Sequence, residues 1–150
     1  MSRLRKGTIA SALAVATVGA FEGYRATAYE DAIGVPTICY GETKNVHLGD
    51  RRTKAECDAM LLARLDEFAN HVERCVKRPL SDKTEVAFVS LAYNIGERAF
   101  CGSSVARLYN AGEARAACDA MMRFNRAGGH VLSGLTNRRK RERALCLEGL

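Results

Sequence analysis

The sequence lacks the residue patterns that bind a structural metal. None of its six cysteines form a Cys-x-x-Cys pair, and its three histidines do not occur at the spacing of metal ligands. A zinc site is therefore not expected. An even number of cysteines spread along a small protein is instead typical of disulfides formed in an oxidising compartment.

The pairing of these cysteines is not determined by their positions, because six cysteines can pair in fifteen ways. Six buried, reduced thiols in a cytosolic protein remain an alternative. The pairing that we favour is Cys39–Cys57, Cys75–Cys101 and Cys118–Cys146.

The sequence also lacks a hydrophobic run of the usual transmembrane length. Residues 8–21 carry no charge, but as a helix these 14 residues would span about 21 Å, less than the roughly 30 Å hydrocarbon core of a bilayer. The preceding residues contain no acid and three bases, Arg3, Arg5 and Lys6. A basic start followed by a short apolar run is typical of an export signal.

Three fates of this segment stay open. A signal peptidase could cleave after the small residues Val18-Gly19-Ala20, which would leave Glu22 near a free chain end without a helix to hold it. The segment could be a buried helix and nothing more. In the interpretation that we favour, it directs export uncleaved, rests weakly in the inner membrane, and then folds against the body of the protein.

Internal repeats, low-complexity linkers and a second domain are also absent, so the 150 residues are expected to form one domain. The net charge is +6 and the isoelectric point is about 9.2. A small basic protein is expected to bind a polyanion, which could be nucleic acid, a membrane surface or the bacterial wall. Charge alone does not choose among the three.

The residue pattern predicts a mostly helical chain with one small sheet. Residues 24–50 are rich in Gly, Thr, Tyr and β-branched residues, with a strand expected at 35–40. Thr53 and Glu56 form a capping box that begins a long amphipathic helix. Further helices are expected at about 81–95, 103–111, 113–126 and from 135 or 136 to 148.

The residues most suggestive of chemistry are Glu22, Asp31 and Thr37, separated by eight and five residues. The C-terminal end of an apolar helix and partial burial both disfavour ionisation of Glu22, as a general acid requires. Asp31 would hold and polarise an attacking water, and the Thr37 hydroxyl would help to position it. Each residue also has an ordinary structural explanation: a helix end, a turn and a strand.

This spacing resembles the catalytic signature of the phage lysozymes (endolysins) of the T-even phage family, glycoside hydrolase family 24. The resemblance implies an α+β, mostly α, lysozyme-like fold in which a long helix joins a small β-hairpin lobe to a larger helical lobe. It also implies a monomeric muramidase without cofactor that cleaves the β-1,4 bond between N-acetylmuramic acid and N-acetylglucosamine. Cleavage would invert the anomeric carbon, with the two carboxyl groups about 6.5–9.5 Å apart.

The resemblance extends to residues that would line the sugar cleft. Asn94 would contact the substrate, and Tyr93 would form a cleft wall or pack in the core. Phe124 stands where the family usually has tryptophan, which this chain lacks. An arginine at the start of the last helix pairs with the catalytic Glu in the family; counting from Thr136 favours Arg139, with Arg138 as the alternative.

Two departures from the family pattern lie beside the expected site. Pro36 precedes Thr37 where the family often has an aromatic residue, and Cys39 replaces a more usual glycine. Both could change the shape of the cleft, and Cys39 could tie the strand to the long helix through Cys57.

The resulting organisation is an N-terminal segment, 1–21, that serves as export signal and scaffold of Glu22, followed by a catalytic domain, 22–150. The β lobe would cover about 24–52 and the helical lobe about 53–150. The segment looks like the signal-arrest-release segments of some phage endolysins. The protein would be made in the host cytoplasm, associate transiently with the inner membrane through residues 8–21, and degrade the wall from the periplasm.

Two other functions were weighed. A basic nucleic-acid-binding module would use the run 138–141 together with Arg143, but the sequence has no recognisable nucleic-acid-binding motif, so no nucleic-acid partner is expected. An inactive wall-binding relative is disfavoured by the presence of Glu22, Asp31 and Thr37. Release of glycan reducing ends would distinguish the enzyme from both alternatives.

Overall fold

The computed structural model describes Leu4 and residues 8–150 and has a helical body with two short β-hairpins. This confirms the predicted class, α+β and mostly α. The predicted basic start (Arg3, Arg5 and Lys6) lies outside the described residues. The elements are α1 (Ile9–Glu22), β1 (Arg25–Glu30), β2 (Pro36–Cys39), α2 (Lys54–Cys75), α3 (Asp82–Ile95), α4 (Glu97–Cys101), α5 (Ser104–Asn110), α6 (Ala114–Ala120), a 3₁₀ turn (Met121–Arg123), β3 (Arg126–Ala127), β4 (His130–Val131) and α7 (Ser133–Glu148).

Helix α1 is formed by the uncharged segment and ends at Glu22. The Thr8 side chain caps it by accepting a hydrogen bond from the Ser11 amide at 3.0 Å. Gly23 follows with φ 75°, a conformation that glycine adopts without strain, and this ends the helix. Within the described part of the chain, every helix is too short or too polar to span a bilayer.

Helix α2 begins at the predicted capping box. The Thr53 hydroxyl accepts from the Glu56 amide at 3.1 Å, and the Glu56 carboxylate accepts from the Thr53 amide at 3.4 Å. Residues three or four apart along α2 form one buried stripe, as an amphipathic helix requires: Cys57, Leu61, Leu65, Ala69 and Val72.

Helix α3 is the centre of the core. Its residues 84–92 are all buried, and it packs against α1, α2, α4 and α7. A helix that is buried on nearly every side holds fixed the helices around it, so α3 sets the positions of α1 and α7, the two helices that carry the charged residues described below.

The chain between α3 and α7 differs from the prediction. Gly96, with φ 95°, redirects the chain into the single-turn helix α4, which the sequence pattern did not predict. The helix expected at 113–126 is instead the α-helix Ala114–Ala120 followed by a 3₁₀ turn that ends at Arg123. Gly128 and Gly129 form the turn of a second hairpin rather than a helix end. The last helix begins at Ser133, two or three residues earlier than predicted.

The three favoured disulfides are confirmed. The first joins the end of β2 to the first turn of α2, the second joins the end of α2 to the end of α4, and the third joins α6 to α7. The structure therefore holds α2 covalently at both ends.

Candidate active site

Glu22 is the last residue of α1, and its side chain is 27% exposed. Its Oε1 accepts a hydrogen bond from Nη1 of Arg138 at 2.9 Å. Arg138 is on α7 and its side chain is only 8% exposed, so solvent weakens this ion pair much less than it weakens a surface pair. The guanidinium also lies 4.6 Å from the ring centre of Phe21.

The assignment of Arg139 as the partner of Glu22 and as a substrate contact is wrong. Consecutive residues of a helix point about 100° apart, and on α7 it is Arg138 that points to α1. The Arg139 side chain is fully buried, with Nε 2.6 Å from Glu142 Oε1 and Nη1 donating to the Phe124 carbonyl. A fully buried side chain cannot touch a sugar in the cleft.

Glu142 is a buried carboxylate that was not among the predicted site residues. It lies between Arg138 and Arg139, and its Oε2 accepts a hydrogen bond from the Ser90 hydroxyl at 2.5 Å. Burial raises its pKa, and the two guanidinium groups and the Ser90 hydroxyl oppose that rise. The signal available in the sequence was the spacing: Glu142 follows the two arginines by four and three residues, so all three share one helix face.

Asp31 and Thr37 are in the first hairpin. Asp31 follows β1, and its Oδ1 accepts from the amides of Ile33 and Val35 at 3.0 and 2.9 Å. Thr37 is in β2 opposite Tyr29, is buried, and donates its hydroxyl hydrogen to the Val35 carbonyl at 2.9 Å. The turn therefore holds one carboxylate oxygen of Asp31, and the Thr37 oxygen keeps its ability to accept a hydrogen bond.

Cys39, one of the two departures from the family pattern, has a backbone conformation that favours glycine. Cys39 has φ 61°, in the left-handed region that glycine adopts freely and other residues adopt at a cost of roughly 1–2 kcal/mol. The glycine that the family usually has at this position fits that conformation. In this chain the disulfide to Cys57 occupies the position instead.

Tyr93 and Asn94 lie near the end of α3. The half-buried Tyr93 ring makes an edge contact with Phe68, their centres 5.3 Å apart, and the Arg64 guanidinium lies 5.3 Å from the ring centre. Burial raises the pKa of the Tyr93 hydroxyl, the Arg64 charge opposes this, and the charges of Glu22 and Glu42 add to it. Tyr93 is thus within electrostatic reach of Glu22, and Asn94 next to it is exposed.

Arg64 is itself held by Glu42, whose carboxylate lies 3.3 Å from its Nη1 and is 11% exposed. This pair joins the segment after β2 to α2 beside the Tyr93 ring. Glu42 and Arg64 are separated by 22 residues, so no local sequence pattern predicts this pair.

Phe124 follows the 3₁₀ turn and is half-buried against the core. Its carbonyl accepts from Arg139, and the neighbouring Asn125 donates to the Thr136 hydroxyl at 3.2 Å. These contacts join the 3₁₀ turn to α7. They place the Phe124 backbone beside Arg139.

A separate groove, with a volume of about 1260 Å³, lies between α1 and α2. Small residues line much of it, including Ala16 and Gly19 of α1 and Ala59 of α2. A smaller cavity of about 430 Å³ opens between Phe21, Arg138 and the start of α7. No group of three or more His, Cys, Asp or Glu side chains in the described residues is arranged to hold a metal ion.

Comparison with known proteins supplies the family. The phage lysozyme family model matches residues 19–142. The SAR-endolysin of Bacteriophage PS119 is 39% identical over 129 residues, which cover 85% of this chain and 77% of the relative. The SAR-endolysin of Pseudomonas phage phiKMV is 39% identical over 145 residues, which cover 92% and 89%.

Solved structures agree with these relatives. The muramidase domain of SpmX from Asticaccaulis excentricus superposes with a TM-score of 0.83 at 31% identity, covering 98% of this chain and 99% of that one. A point mutant of P22 lysozyme superposes with a TM-score of 0.84 at 34% identity, covering 90% and 95%.

Proposed function

The chain belongs to the phage lysozyme family and is a peptidoglycan hydrolase, and from this premise we propose that Glu22 is the general acid of an inverting muramidase. The bond cleaved is the β-1,4 link between N-acetylmuramic acid and N-acetylglucosamine. The observation that carries the assignment is the ion pair of Glu22 with Arg138, which gives a partly exposed carboxyl group a buried, fixed partner.

The role of Arg138 follows from the charge that develops during cleavage. Glu22 gives its proton to the departing sugar oxygen and becomes a carboxylate. The Arg138 guanidinium, already 2.9 Å from Oε1, stabilises that negative charge without reorganisation of the site.

Asp31 and Thr37 would hold the attacking water. The turn amides bind Oδ1 of Asp31, and Oδ2 has no hydrogen-bond partner among the described residues. A water that donates one hydrogen to Oδ2 and the other to the Thr37 oxygen would direct its lone pair away from both, toward the anomeric carbon. The turn would therefore keep the Asp31 carboxylate oriented for a general base.

Asn94 would contact the substrate from the exposed end of α3, with Tyr93 and Phe124 as aromatic walls of the cleft. The nucleic-acid-binding alternative loses its main support in the structure, because two arginines of the basic run are occupied. Arg138 and Arg139 are buried against Glu22 and Glu142 instead of being exposed to a polyanion.

The Glu22→Gln variant tests the acid assignment, with Glu30→Gln as the matched control. Glu30 is an exposed carboxylate next to Asp31, so the control makes the same change in the same region. We expect reducing-end release from purified sacculi to fall by at least about 100-fold in Glu22→Gln and to stay at the wild-type rate in Glu30→Gln. Retained activity in a folded Glu22→Gln protein would refute the assignment.

The reaction products test the chemistry. Mass spectrometry of digested sacculi should show a hydrolysed muramic reducing end, which is one water heavier than the 1,6-anhydro end left by a transglycosylase. Inversion predicts that NMR of freshly cleaved oligosaccharide shows the α-anomer first. Anhydro ends would contradict the proposed role of Asp31, because they form without an attacking water. A β-anomer would exclude the single-displacement mechanism.

Residues 1–21 are proposed to direct export without being cleaved, to rest weakly in the inner membrane and then to fold onto the catalytic domain. Two observations support this. The SAR-endolysin relatives match most of the chain. In addition, Ala10, Ala14 and Val18 of α1 are buried in the core, so removal of the segment would open the core beneath Glu22.

Intact-mass measurement of the periplasmic, active protein tests this proposal. We expect residues 8–21 to be present in the active species, and an early membrane-bound population to be released by collapse of the membrane potential. An active form that begins after Ala20 would show that the segment is an ordinary cleaved signal. The division into a β lobe at 24–52 and a helical lobe at 53–150 is part of the same proposal.

A further inference from the structure

The guanidinium of Arg138 is held on three sides. Its Nη1 donates to Glu22 at 2.9 Å, Nε donates to Glu142 Oε2 at 3.2 Å, and Nη2 donates to the Ser90 carbonyl at 3.2 Å. A guanidinium is planar, so two fixed contacts in its plane determine where the third nitrogen points. Glu142 and Ser90 therefore determine the direction in which Nη1 reaches Glu22.

Glu142 is itself fixed. Its side chain is fully buried, and three donors surround it: the Ser90 hydroxyl on α3 and the guanidinium groups of Arg138 and Arg139 on α7. A buried carboxylate with these partners has little freedom to rotate, because any rotation would leave a charge unpaired in the core. Buried Glu142 and Ser90 thus orient the Arg138 guanidinium, which contacts Glu22.

We propose that Glu142, together with Ser90, is a positioning residue for the reaction: it holds Arg138 in the one orientation that supports Glu22. The proposal rests on the assignment of Glu22 as the acid. Glu142 does not touch the substrate and acts through Arg138 alone, so its effect should appear in kcat and should vanish when Arg138 can no longer contact both carboxylates at once.

The test is a double-mutant cycle between Glu142→Gln and Arg138→Lys. A lysine keeps the positive charge near Glu22 but has no planar fork to bridge Glu22 and Glu142. We expect Glu142→Gln alone to lower kcat on soluble glycan chains by about 10-fold or more, with KM within about two-fold of wild type. In the Arg138→Lys background the same change should lower kcat no further.

Glu148→Gln is the matched control. Glu148 is on the same helix and also forms an ion pair with α3, with its Oε2 3.2 Å from Lys83 Nζ, but it is exposed and does not touch Arg138. Its kcat should equal that of wild type. All rates are taken per folded protein, measured from the thermal unfolding transition, so that a loss of stability is not counted as a loss of catalysis.

Two results would overturn the proposal: wild-type kcat in Glu142→Gln, or an equal loss of kcat from Glu142→Gln in both backgrounds. If Glu142→Gln does not fold, Ser90→Ala decides, since it removes the hydroxyl that fixes Glu142 and leaves every charge in place; unchanged kcat in that variant also overturns the proposal. An active Glu22→Gln protein would instead refute the acid assignment, so the two failures are distinguishable.

Discussion

Helices α1 and α2 lie on either side of one groove, yet they are held in opposite ways. Helix α2 has a capping box at its start and a disulfide at each end. Helix α1 is capped by the Thr8 side chain and has no disulfide and no charged residue before Glu22. Helix α2 is thus stabilised by its own capping box and by the disulfides at its ends, whereas α1 depends on packing against its neighbours.

This difference places the proposed general acid on the less secured helix. The contacts that hold α1 are burial of small residues in the core and the ion pair of Glu22 with Arg138. Because these contacts come from the rest of the domain, α1 can dock only after that surface has formed. That order agrees with the proposal that the segment leaves a membrane and then completes the active site.

Among the variants that test this difference between α1 and α2, Gly19→Leu is expected to have the largest effect, a loss of kcat. A Cβ at Gly19 would lie 3.0 Å from the Tyr40 ring, and Tyr40 is held by its hydrogen bond to Asp58 at 2.5 Å. Because Tyr40 is fixed, α1 must move and carry Glu22 with it. We expect kcat to fall by about 100-fold.

Ala16→Leu is its control, since Ala16 is exposed one turn earlier on the open side of the groove. Its activity should match that of wild type. Equal activity in the Gly19→Leu and Ala16→Leu proteins would show that the position of α1 does not depend on close packing against Tyr40.

An effect on stability rather than on kcat is expected from removal of the disulfide at the start of α2. Replacing both Cys39 and Cys57 by alanine should lower the free energy of unfolding by about 3 kcal/mol, because the unfolded chain is no longer closed into a loop. Glycine at position 39 should recover about 1 kcal/mol of this loss, since φ is 61° there.

Denaturant unfolding of the Cys39→Ala/Cys57→Ala and Cys39→Gly/Cys57→Ala proteins measures both differences. Equal stability of the two variants would mean that the backbone at this position relaxes once the disulfide is absent.

The smallest effect is expected from the helix caps, which compare α1 and α2 directly. Thr53→Ala should lower the free energy of unfolding by about 1 kcal/mol, and Thr8→Ala by less, because the Thr53 cap is part of a capping box with Glu56, whereas the first turn of α1 contains no acidic residue. Thermal unfolding of the two variants measures the difference. A larger loss in Thr8→Ala would show that α1 is secured at its start more firmly than its contacts indicate.

Much of the fold could be predicted because its signals are local. The capping box at Thr53 and the helix stop at Gly96 each act within one turn, and the uncharged segment before Glu22 is one continuous run; the structure has all three. The hairpin at Gly128 and Gly129 was missed because a glycine pair ends a helix and turns a hairpin equally well. Strands of two residues give no periodic signal to separate the two cases.

The features of the site also divide into those that the sequence predicts and those that depend on helix packing. The sequence by itself identified the Glu22, Asp31 and Thr37 spacing and the cysteines, and the favoured disulfide pairing proved correct. Only the tertiary structure decided between Arg138 and Arg139, since adjacent residues on a helix differ in direction by about 100° and α7 begins earlier than the pattern predicts. Helix packing alone brought Ser90 to Glu142 across 52 residues, because this contact depends on how α3 packs against α7 and not on a local spacing.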